Sequence, residues 1–247
     1  MINIKNQEEI KLMSEACRIV KDTLFLLEDR IVPGITTNEL DSIAEDYILS
    51  QGADLGFKGL YGYPSTICIS IEDEVVHGLP GNSKLEEGQI VGIDVGSIYK
   101  GYYGDHAKSF PVGKINKNKE KLLKVTKECL EKGIEKAIPG NRIGDIGSAV
   151  QKWAEINGYG VVRELVGHGI GAKLHEDPQI PNYGNSGTGP KIEAGMCFAI
   201  EPMINMGAKE VYTKEDGWTI CTKDGLPSAH FEHTIVVTKD GPQILTV

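Results

Sequence analysis

The segment IVGIDVGSIYKGYYGDHAKSF, residues 90–110, carries two aspartates within an apolar strand pattern. A two-residue hairpin loop at 99–100 would set Asp94 and Asp105 directly opposite each other, and a loop at 100–101 would make them diagonal neighbours. Either register puts both carboxylates on one face, within about 8 Å between Cβ atoms. Two exposed aspartates near a turn would be the simple alternative. If buried, they need a compensating cation, because an unpaired buried carboxylate costs several kcal/mol.

Two glutamates in similar surroundings weaken the exposed-hairpin interpretation. Glu201 ends the apolar run MCFAIE, and Glu232 opens FEHTIVVT, a predicted strand. Four carboxylates at apolar strand positions favour a shared cation site over four separate salt bridges, because most lysines and arginines lie elsewhere in the sequence.

His168, in LVGHGIG, is the candidate nitrogen ligand. A lone histidine is more often an ordinary core or surface residue, but glycines on both sides indicate a backbone that bends closely around something. One imidazole with four carboxylates suits Mn²⁺, Fe²⁺, Co²⁺ or Zn²⁺. Two such ions, about 3.5–4 Å apart, would neutralise the carboxylates and activate a water molecule. The sequence therefore predicts a pair of divalent metal ions of open identity.

An internal repeat predicts how these residues meet. Two pairs of segments resemble each other at offsets of 106 and 107 residues: VPGITTNELDSIAEDYILSQG (32–52) with IPGNRIGDIGSAVQKWAEING (138–158), and KLEEGQIVGID (84–94) with KIEAGMCFAIE (191–201). Two segments at nearly one offset favour duplication. The second alignment ends with Asp94 against Glu201, so a pseudo-twofold axis would bring these carboxylates together.

The repeat also predicts the architecture. Each Pro-Gly turn follows a candidate helix, at residues 7–28 and 117–136, and precedes another. We expect an α+β fold with an inner antiparallel sheet and outer helices. Residues 1–247 would form a single catalytic domain with pseudo-symmetric halves of roughly 1–112 and 113–247.

Composition narrows the function classes. The chain has 247 residues, is 40% hydrophobic and carries a net charge of −9, so it has no general attraction to DNA or to an anionic membrane. No apolar run approaches the ~20 residues of a membrane span. The start of the sequence lacks a signal-peptide layout, and five scattered cysteines fit reduced thiols. We therefore expect a cytoplasmic protein, and nothing in the sequence demands more than a monomer.

Together these motifs resemble the methionine aminopeptidases of the first type, within the pita-bread metallopeptidase superfamily. The resemblance covers essentially the whole chain, and its blocks are GYPSTICIS…VVHGLP (62–80), IDVGSIYKGYYGD (93–105), GHGIGAKLHEDP (167–178), IEPMI (200–204) and FEHTIVV (231–237). With no long insert before Glu232 and no N-terminal zinc-binding extension, the sequence is similar to the short bacterial form.

The resemblance implies a pita-bread fold and the hydrolytic removal of N-terminal methionine. The implied partners are the N-termini of nascent polypeptides and peptides with a small second residue. Asp94 would hold one metal ion, Asp105 and Glu232 would bridge both, and His168 with Glu201 would hold the other. Glu201 would also shuttle protons.

A substrate site is implied as well. His77 and His175 would flank the substrate, next to the scissile amide and the tetrahedral intermediate. The implied methionine pocket is apolar with one soft sulfur, and consists of Phe57, Leu60, Tyr63, Cys68, Leu174 and Trp218.

Four positions depart from the family pattern, and none is an implied metal ligand. His106 stands where Thr or Ser is usual, Gly92 and Glu72 where Asn is common, and Leu165 where the residue is often aromatic. His106 is expected to affect metal occupancy or the pH optimum, because it places a titratable ring next to Asp105.

Two rival functions stay open at this stage. A related aminopeptidase for X-Pro bonds or dipeptides would usually carry an extra N-terminal domain. A non-catalytic pita-bread binding protein would usually have lost metal ligands.

The lysine-rich segment KINKNKEKLLKVTK (114–127) has two interpretations. It is either a solvated helix face, which is the commoner case, or a transient contact with ribosomal RNA. Replacing Lys117, Lys119 and Lys121 by Glu would distinguish them.

Overall fold

Four long helices lie between residues 2 and 247, the part of the chain that this computed structural model describes. Met1, the first residue of the expected domain, lies outside the described residues. The helices are α1 (Gln7–Glu28), α2 (Thr37–Ser50), α3 (Lys117–Ile134) and α4 (Ile143–Ile156). The first has the predicted bounds, and α3 ends two residues before the predicted position, ahead of the Pro-Gly turn.

The strands are short apart from one long hairpin. They are β1 (Asp54–Leu55), β2 (Ile67–Ile71), β3 (Glu74–Val76), β4 (Ile90–Tyr99), β5 (Tyr102–Pro111), β6 (Gly160–Val161), β7 (Gly167–Gly169), β8 (Glu176–Ile180), β9 (Cys197–Ile200), β10 (Met203–Asn205), β11 (Val211–Thr213), β12 (Ile220–Thr222), β13 (Ser228–His230), β14 (His233–Thr238) and β15 (Gly241–Ile244). A 3₁₀ turn covers Leu60–Gly62.

All strand pairs in the four sheets of the described chain are antiparallel. In the first half, β4 pairs with β1, β2 and β5; in the second, the order is β15-β14-β9-β7-β8. Two smaller sheets, β13-β10-β6 and β11-β12-β3, lie beside them. The fold is α+β, as predicted.

Hydrogen bonds join the sheets of the two halves. The Thr234 hydroxyl donates to the carbonyl of Asp105 (2.7 Å) and accepts from its amide (3.2 Å). The amide of Glu232 donates to the carbonyl of Ala107 (2.9 Å). The seam between β5 and β14 therefore fixes two of the predicted ligands through their own backbone.

The internal repeat is visible in equivalent backbone contacts. Gly34 and Gly140 adopt φ angles of +97° and +98°, and their amides donate to the carbonyls of Leu85 (2.8 Å) and Ile192 (3.0 Å). A positive φ is available to glycine without strain, which explains the Pro-Gly turn in both copies. Isolated bridges, Thr36 to Lys84 and Arg142 to Lys191, repeat the same pairing.

Two large apolar clusters fill the interior. One draws on α1, α2 and the first sheet, and the other on α3, α4 and the second sheet. Ile90 of β4 belongs to the second cluster, so the packing crosses the sequence midpoint. A division into halves near residue 112 remains a prediction.

Within residues 2–247, no helix combines the length and the apolar character that crossing a bilayer requires.

Helix α1 lies directly on the backbone of β5 at Gly104. A Cβ atom at this position would stand 2.5 Å from the backbone carbon of Ala16, closer than real Cβ contacts come. We expect Gly104→Ala to lower the free energy of unfolding by about 1–3 kcal/mol through overpacking. Urea denaturation would measure this. Gly81→Ala is the matched control, since a Cβ there meets nothing within 4 Å, and an equal loss in both variants would contradict the prediction.

Candidate active site

The β4–β5 hairpin sets the spacing of Asp94 and Asp105. Its loop is Lys100–Gly101, with φ angles of +49° and +85°, as a type I′ turn requires. Tyr99 therefore pairs with Tyr102, and the two aspartates are diagonal neighbours, the second of the two predicted registers.

His168 reaches the cavity from β7, and its flanking glycines have a packing reason. A Cβ at Gly167 would lie 2.4 Å from the carbonyl oxygen of Ala199, and one at Gly169 would lie 2.2 Å from that of Asp177. The glycines thus let neighbouring backbone approach closely. The Nδ1–H of His168 donates to the carbonyl of Gly169 (2.9 Å), because a carbonyl can only accept, and Nε2 is left as the free ligand atom.

The predicted ligands lie together. Ligand atoms of Asp105, His168 and Glu232 are all within 4.8 Å of one another. His168 Nε2 is 3.5 Å from Glu201 Oε1 and 3.7 Å from Asp105 Oδ2. Asp94 lines the same cavity and interacts with the Asp105 carboxyl. The cluster thus draws side chains from both large sheets.

Burial makes ionisation of this cluster unfavourable. It raises the pKa of Asp94 to about 7 and that of Glu201 to about 8. The pKa values of Asp105 and Glu232 lie well above the usual range because of burial and then the neighbouring carboxylates. Burial also lowers the pKa of His168 to about 4, so its ring is neutral and able to bind a metal.

The donor set fits divalent metal ions. Within the described part of the chain, three buried carboxylate oxygens have no hydrogen-bond partner: Asp94 Oδ1, Asp105 Oδ1 and Glu232 Oε1. Unpaired buried acceptors are costly, and four clustered carboxylates with one imidazole nitrogen match the ligands of hard or borderline cations. Cations would satisfy both the charge and the orphaned oxygens.

We expect the metal-free protein to lose stability as the pH rises from about 6.5 to about 8. Folded Asp94 and Glu201 retain protons to about pH 7 and about pH 8, whereas unfolded carboxyls lose them near pH 4. The folded state therefore binds more protons in this window, and the free energy of unfolding falls with pH. The lowered pKa values of His77 and His168 act below this window.

Thermal unfolding with chelator and with Mn²⁺ would measure this dependence. The fall in melting temperature should shrink when Mn²⁺ is present and in Glu201→Gln. Identical pH dependence in all three samples would contradict the electrostatic account.

Beside the carboxylates is an apolar recess. All thirteen predicted site residues line one cavity of about 330 Å³. The Tyr63 ring contacts Trp218 edge to face (5.1 Å between centroids), and the Tyr63 hydroxyl lies 3.0 Å from the carbonyl of Gly78. Phe57, Cys68 and Leu174 are buried there. This recess can hold a mid-sized apolar side chain.

The two other predicted histidines stand at the same cavity. The ring of His175 meets that of His168 edge to face, with 4.5 Å between centroids. His77 has a φ of +59°, uncommon for a residue with a side chain, and burial lowers its pKa to about 4. The exposed ring of Tyr61, which the sequence did not single out, is parallel to His175 at 5.9 Å.

His106 faces away from the cluster. Its Nδ1 lies 2.5 Å from the carbonyl oxygen of Glu232, and its ring stacks on His233 at 4.7 Å. Burial and then the charge on His233 lower the pKa of His106 to about 3. The ring is therefore neutral near pH 7 and acts on Glu232 through the backbone.

Other unusual positions have local explanations. Glu72 has a φ of +58°, where Asn is better tolerated than Glu; its Oε1 accepts from the amide of Ile90 (2.8 Å) and from Lys119 Nζ (2.7 Å). Leu165 lines the mouth of the cavity. A Cβ at Gly92 would meet only the Ser109 hydroxyl, at 3.4 Å, and the carbonyl oxygen of Ser70, at 3.8 Å.

Sequence reasoning missed His230. Its side chain is buried, and Nε2 lies 3.5 Å from Glu201 Oε2. A signal was available, because His230 lies two residues before Glu232 and residues two apart on an extended chain share a face. The sequence also did not single out Val76, Glu164, Val166 or Met203, which line the cavity.

Comparisons with known proteins agree with this geometry. Residues 11–239 match the model of metallopeptidase family M24. A methionine aminopeptidase of Clostridium perfringens is 51% identical over 247 residues, covering 100% of this chain and 99% of the relative.

Solved structures show the same similarity. The crystal structure of a methionine aminopeptidase from Thermotoga maritima superposes with a TM-score of 0.98 at 45% identity, covering 100% of this chain and 99% of that one. A prolidase from Pyrococcus furiosus superposes with a TM-score of 0.82 at 25% identity, and only 65% of that chain is covered.

Proposed function

Since this chain belongs to metallopeptidase family M24, we propose that its acidic cavity removes the N-terminal methionine from peptides and nascent proteins with a small second residue. The observation that carries the proposal is the juxtaposition of carboxylate oxygens that lack hydrogen-bond partners with an apolar recess. The reaction class is hydrolysis by a metallo-exopeptidase.

Five residues would hold two divalent metal ions. Asp94 would bind one ion, Asp105 and Glu232 would bind both, and His168 with Glu201 would bind the other. Bound ions of this kind supply an activated water and a Lewis acid for the substrate carbonyl. The oxygen-rich set with one imidazole suits Fe²⁺, Mn²⁺, Co²⁺ or Zn²⁺.

The remaining roles fall to side chains that touch the substrate. Glu201 would accept a proton from the attacking water and deliver it to the departing amine. His77 and His175 would flank the scissile amide, with His175 donating a hydrogen bond to the developing oxyanion.

The apolar recess would select the first side chain. Phe57, Leu60, Tyr63, Leu174 and Trp218 supply its apolar walls. The Cys68 thiol stays protonated because burial raises its pKa, so the recess offers a soft, uncharged contact to a thioether.

The two alternatives are less well supported. Only 65% of the matching prolidase is covered, whereas whole methionine aminopeptidases match from end to end. A non-catalytic binding member would be expected to lack ligands, but all five line the cavity here.

A peptide assay tests the proposed function. Protein stripped of metal and supplied with Mn²⁺, or with Fe²⁺ without oxygen, should release methionine from Met-Ala-Ser. Leu-Ala-Ser and Ala-Pro should stay intact, because the recess fits an unbranched thioether. Asp94→Ala, which removes a ligand, should reduce the rate by at least about 100-fold. Cleavage of Ala-Pro or Leu-Ala-Ser instead would overturn the substrate, and no metal-dependent cleavage would favour the binding-protein alternative.

The partners would be the N-termini of nascent polypeptides, met by a cytoplasmic monomer. Five unpaired, buried cysteines in the described chain suit a reducing compartment. A transient ribosome contact through α3 is a further part of this proposal.

Replacement of exposed lysines on α3 tests the ribosome contact. Lys119 is unsuitable, since it pairs with Glu72 at 2.7 Å and is half-buried. Lys117, Lys121 and Lys124 are exposed, with helical spacing that places them on one side. Changing these three to Glu should weaken co-sedimentation with ribosomes at low salt, with peptide cleavage retained. Unchanged sedimentation would refute the contact.

A further inference from the structure

We propose that His230 is a positioning residue that holds the Oε2 oxygen of the Glu201 carboxylate. It would thereby tune the affinity of the proposed site for metal ions. This inference rests on the proposed function, because it concerns the same cluster. It adds a residue that neither the ligand set nor the substrate pocket includes.

The imidazole of His230 has an unused nitrogen. Among the side chains of residues 2–247, Nε2 of His230 is the one buried nitrogen that has no hydrogen-bond partner. The residue is 4% exposed, so water does not satisfy the atom. The group facing it is Glu201 Oε2, at 3.5 Å. A buried ring nitrogen without a partner is costly, and a carboxylate oxygen at this distance can form a hydrogen bond with it.

The backbone of His230 is tightly held. Its amide donates to the hydroxyl of Ser109 (3.0 Å), and that hydroxyl donates to its carbonyl (2.9 Å). His230 also pairs with Met203 across β13 and β10. The backbone of His230 is therefore held by contacts with two sheets. A group that positions another side chain needs a fixed backbone of this kind.

Glu201, in contrast, lies just beyond the end of its strand. It follows the last residue of β9 and precedes Pro202, which has no amide to donate. The amide side chain of Asn182 donates to the Glu201 carbonyl (3.0 Å), which fixes the backbone. This contact does not fix the side-chain torsion angles of Glu201, so the carboxylate needs a hydrogen-bond partner of its own.

The two carboxylate oxygens of Glu201 face two different histidines. Oε1 lies 3.5 Å from His168 Nε2 and Oε2 lies 3.5 Å from His230 Nε2. When Glu201 is ionised, a proton on His230 Nε2 can donate to Oε2 after a shift of a few tenths of an ångström. That bond leaves Oε1 on the side of His168, the residue with which Glu201 would bind metal. Partners that orient a ligand in this way typically change metal affinity 10–100-fold.

Metal titration of three variants tests the proposal. Mn²⁺ is titrated into metal-free protein by calorimetry, with wild type beside His230→Leu, His230→Gln and His230→Asn. Leu has no donor, and the Asn amide stops short of Glu201, so both should weaken Mn²⁺ binding about 10–100-fold. Gln offers an amide donor of nearly the reach of Nε2, and its dissociation constant should stay within about threefold of wild type.

Asn205→Leu is the matched control for lost stability. Asn205 is a fully buried polar residue of β10 in the same sheet, and it donates to Ala208 and accepts from Ser228, away from the cavity. Its loss should lower the melting temperature without changing Mn²⁺ affinity. If the Leu variant does not fold, the Asn variant carries the comparison.

The outcomes separate the inference from the proposed function. Wild-type Mn²⁺ affinity in His230→Leu or His230→Asn would overturn the positioning role. Equal weakening of Mn²⁺ binding in the Gln, Leu and Asn variants would show that only the shape of the imidazole matters. That result would overturn the proposed hydrogen bond. Failure of wild type to bind Mn²⁺, or equal binding by Asp94→Ala, would instead refute the proposed metal site.

Discussion

The charge of four carboxylates buried close together is the constraint on which the rest of this structure depends. Asp105 and Glu232 are almost inaccessible to water, and each keeps an oxygen without a partner. Without cations, burial and the neighbouring carboxylates raise the pKa of both groups and so favour their protonated forms. Cations that bind only the folded state would add their binding free energy to the stability of the fold.

The same constraint explains how the two halves depend on each other. Asp94 and Asp105 come from the β4–β5 hairpin, and His168, Glu201 and Glu232 come from later in the sequence. The backbone amide of Glu232 and the side-chain hydroxyl of Thr234 both bond to β5, and these bonds fix where Glu232 and Asp105 stand. A preformed arrangement reduces the cost of collecting five side chains at one point, but it holds like charges close together.

Much of this arrangement was predictable from the sequence, because the duplicated segments recur at a nearly constant separation along the chain. The Pro-Gly turns and the helices that follow them recur at an offset of 106 residues, and Asp94 aligns with Glu201 at an offset of 107. The hairpin register was not decided by strand pattern, because both loops place the aspartates on one face. The positive φ angles of Lys100 and Gly101 decided it. The glycines around His168 are explained by the close approach of neighbouring strands, which the sequence pattern does not reveal.

Strand alternation sets His106 apart from the carboxylate cluster. His106 departs from the usual Thr or Ser directly after Asp105, and consecutive residues on a strand face opposite sides. Its ring therefore lies behind the cluster, stacked on His233, which follows Glu232 in the same way. His230 has the opposite parity to His233, and its Nε2 reaches Glu201. Asp105 and Glu232 thus each have an imidazole behind them, whereas other imidazoles lie on the cavity side of the cluster. A histidine two residues from a carboxylate of the cluster can therefore lie on the same side as that carboxylate. A histidine directly next to the carboxylate lies behind it and packs against the supporting strands.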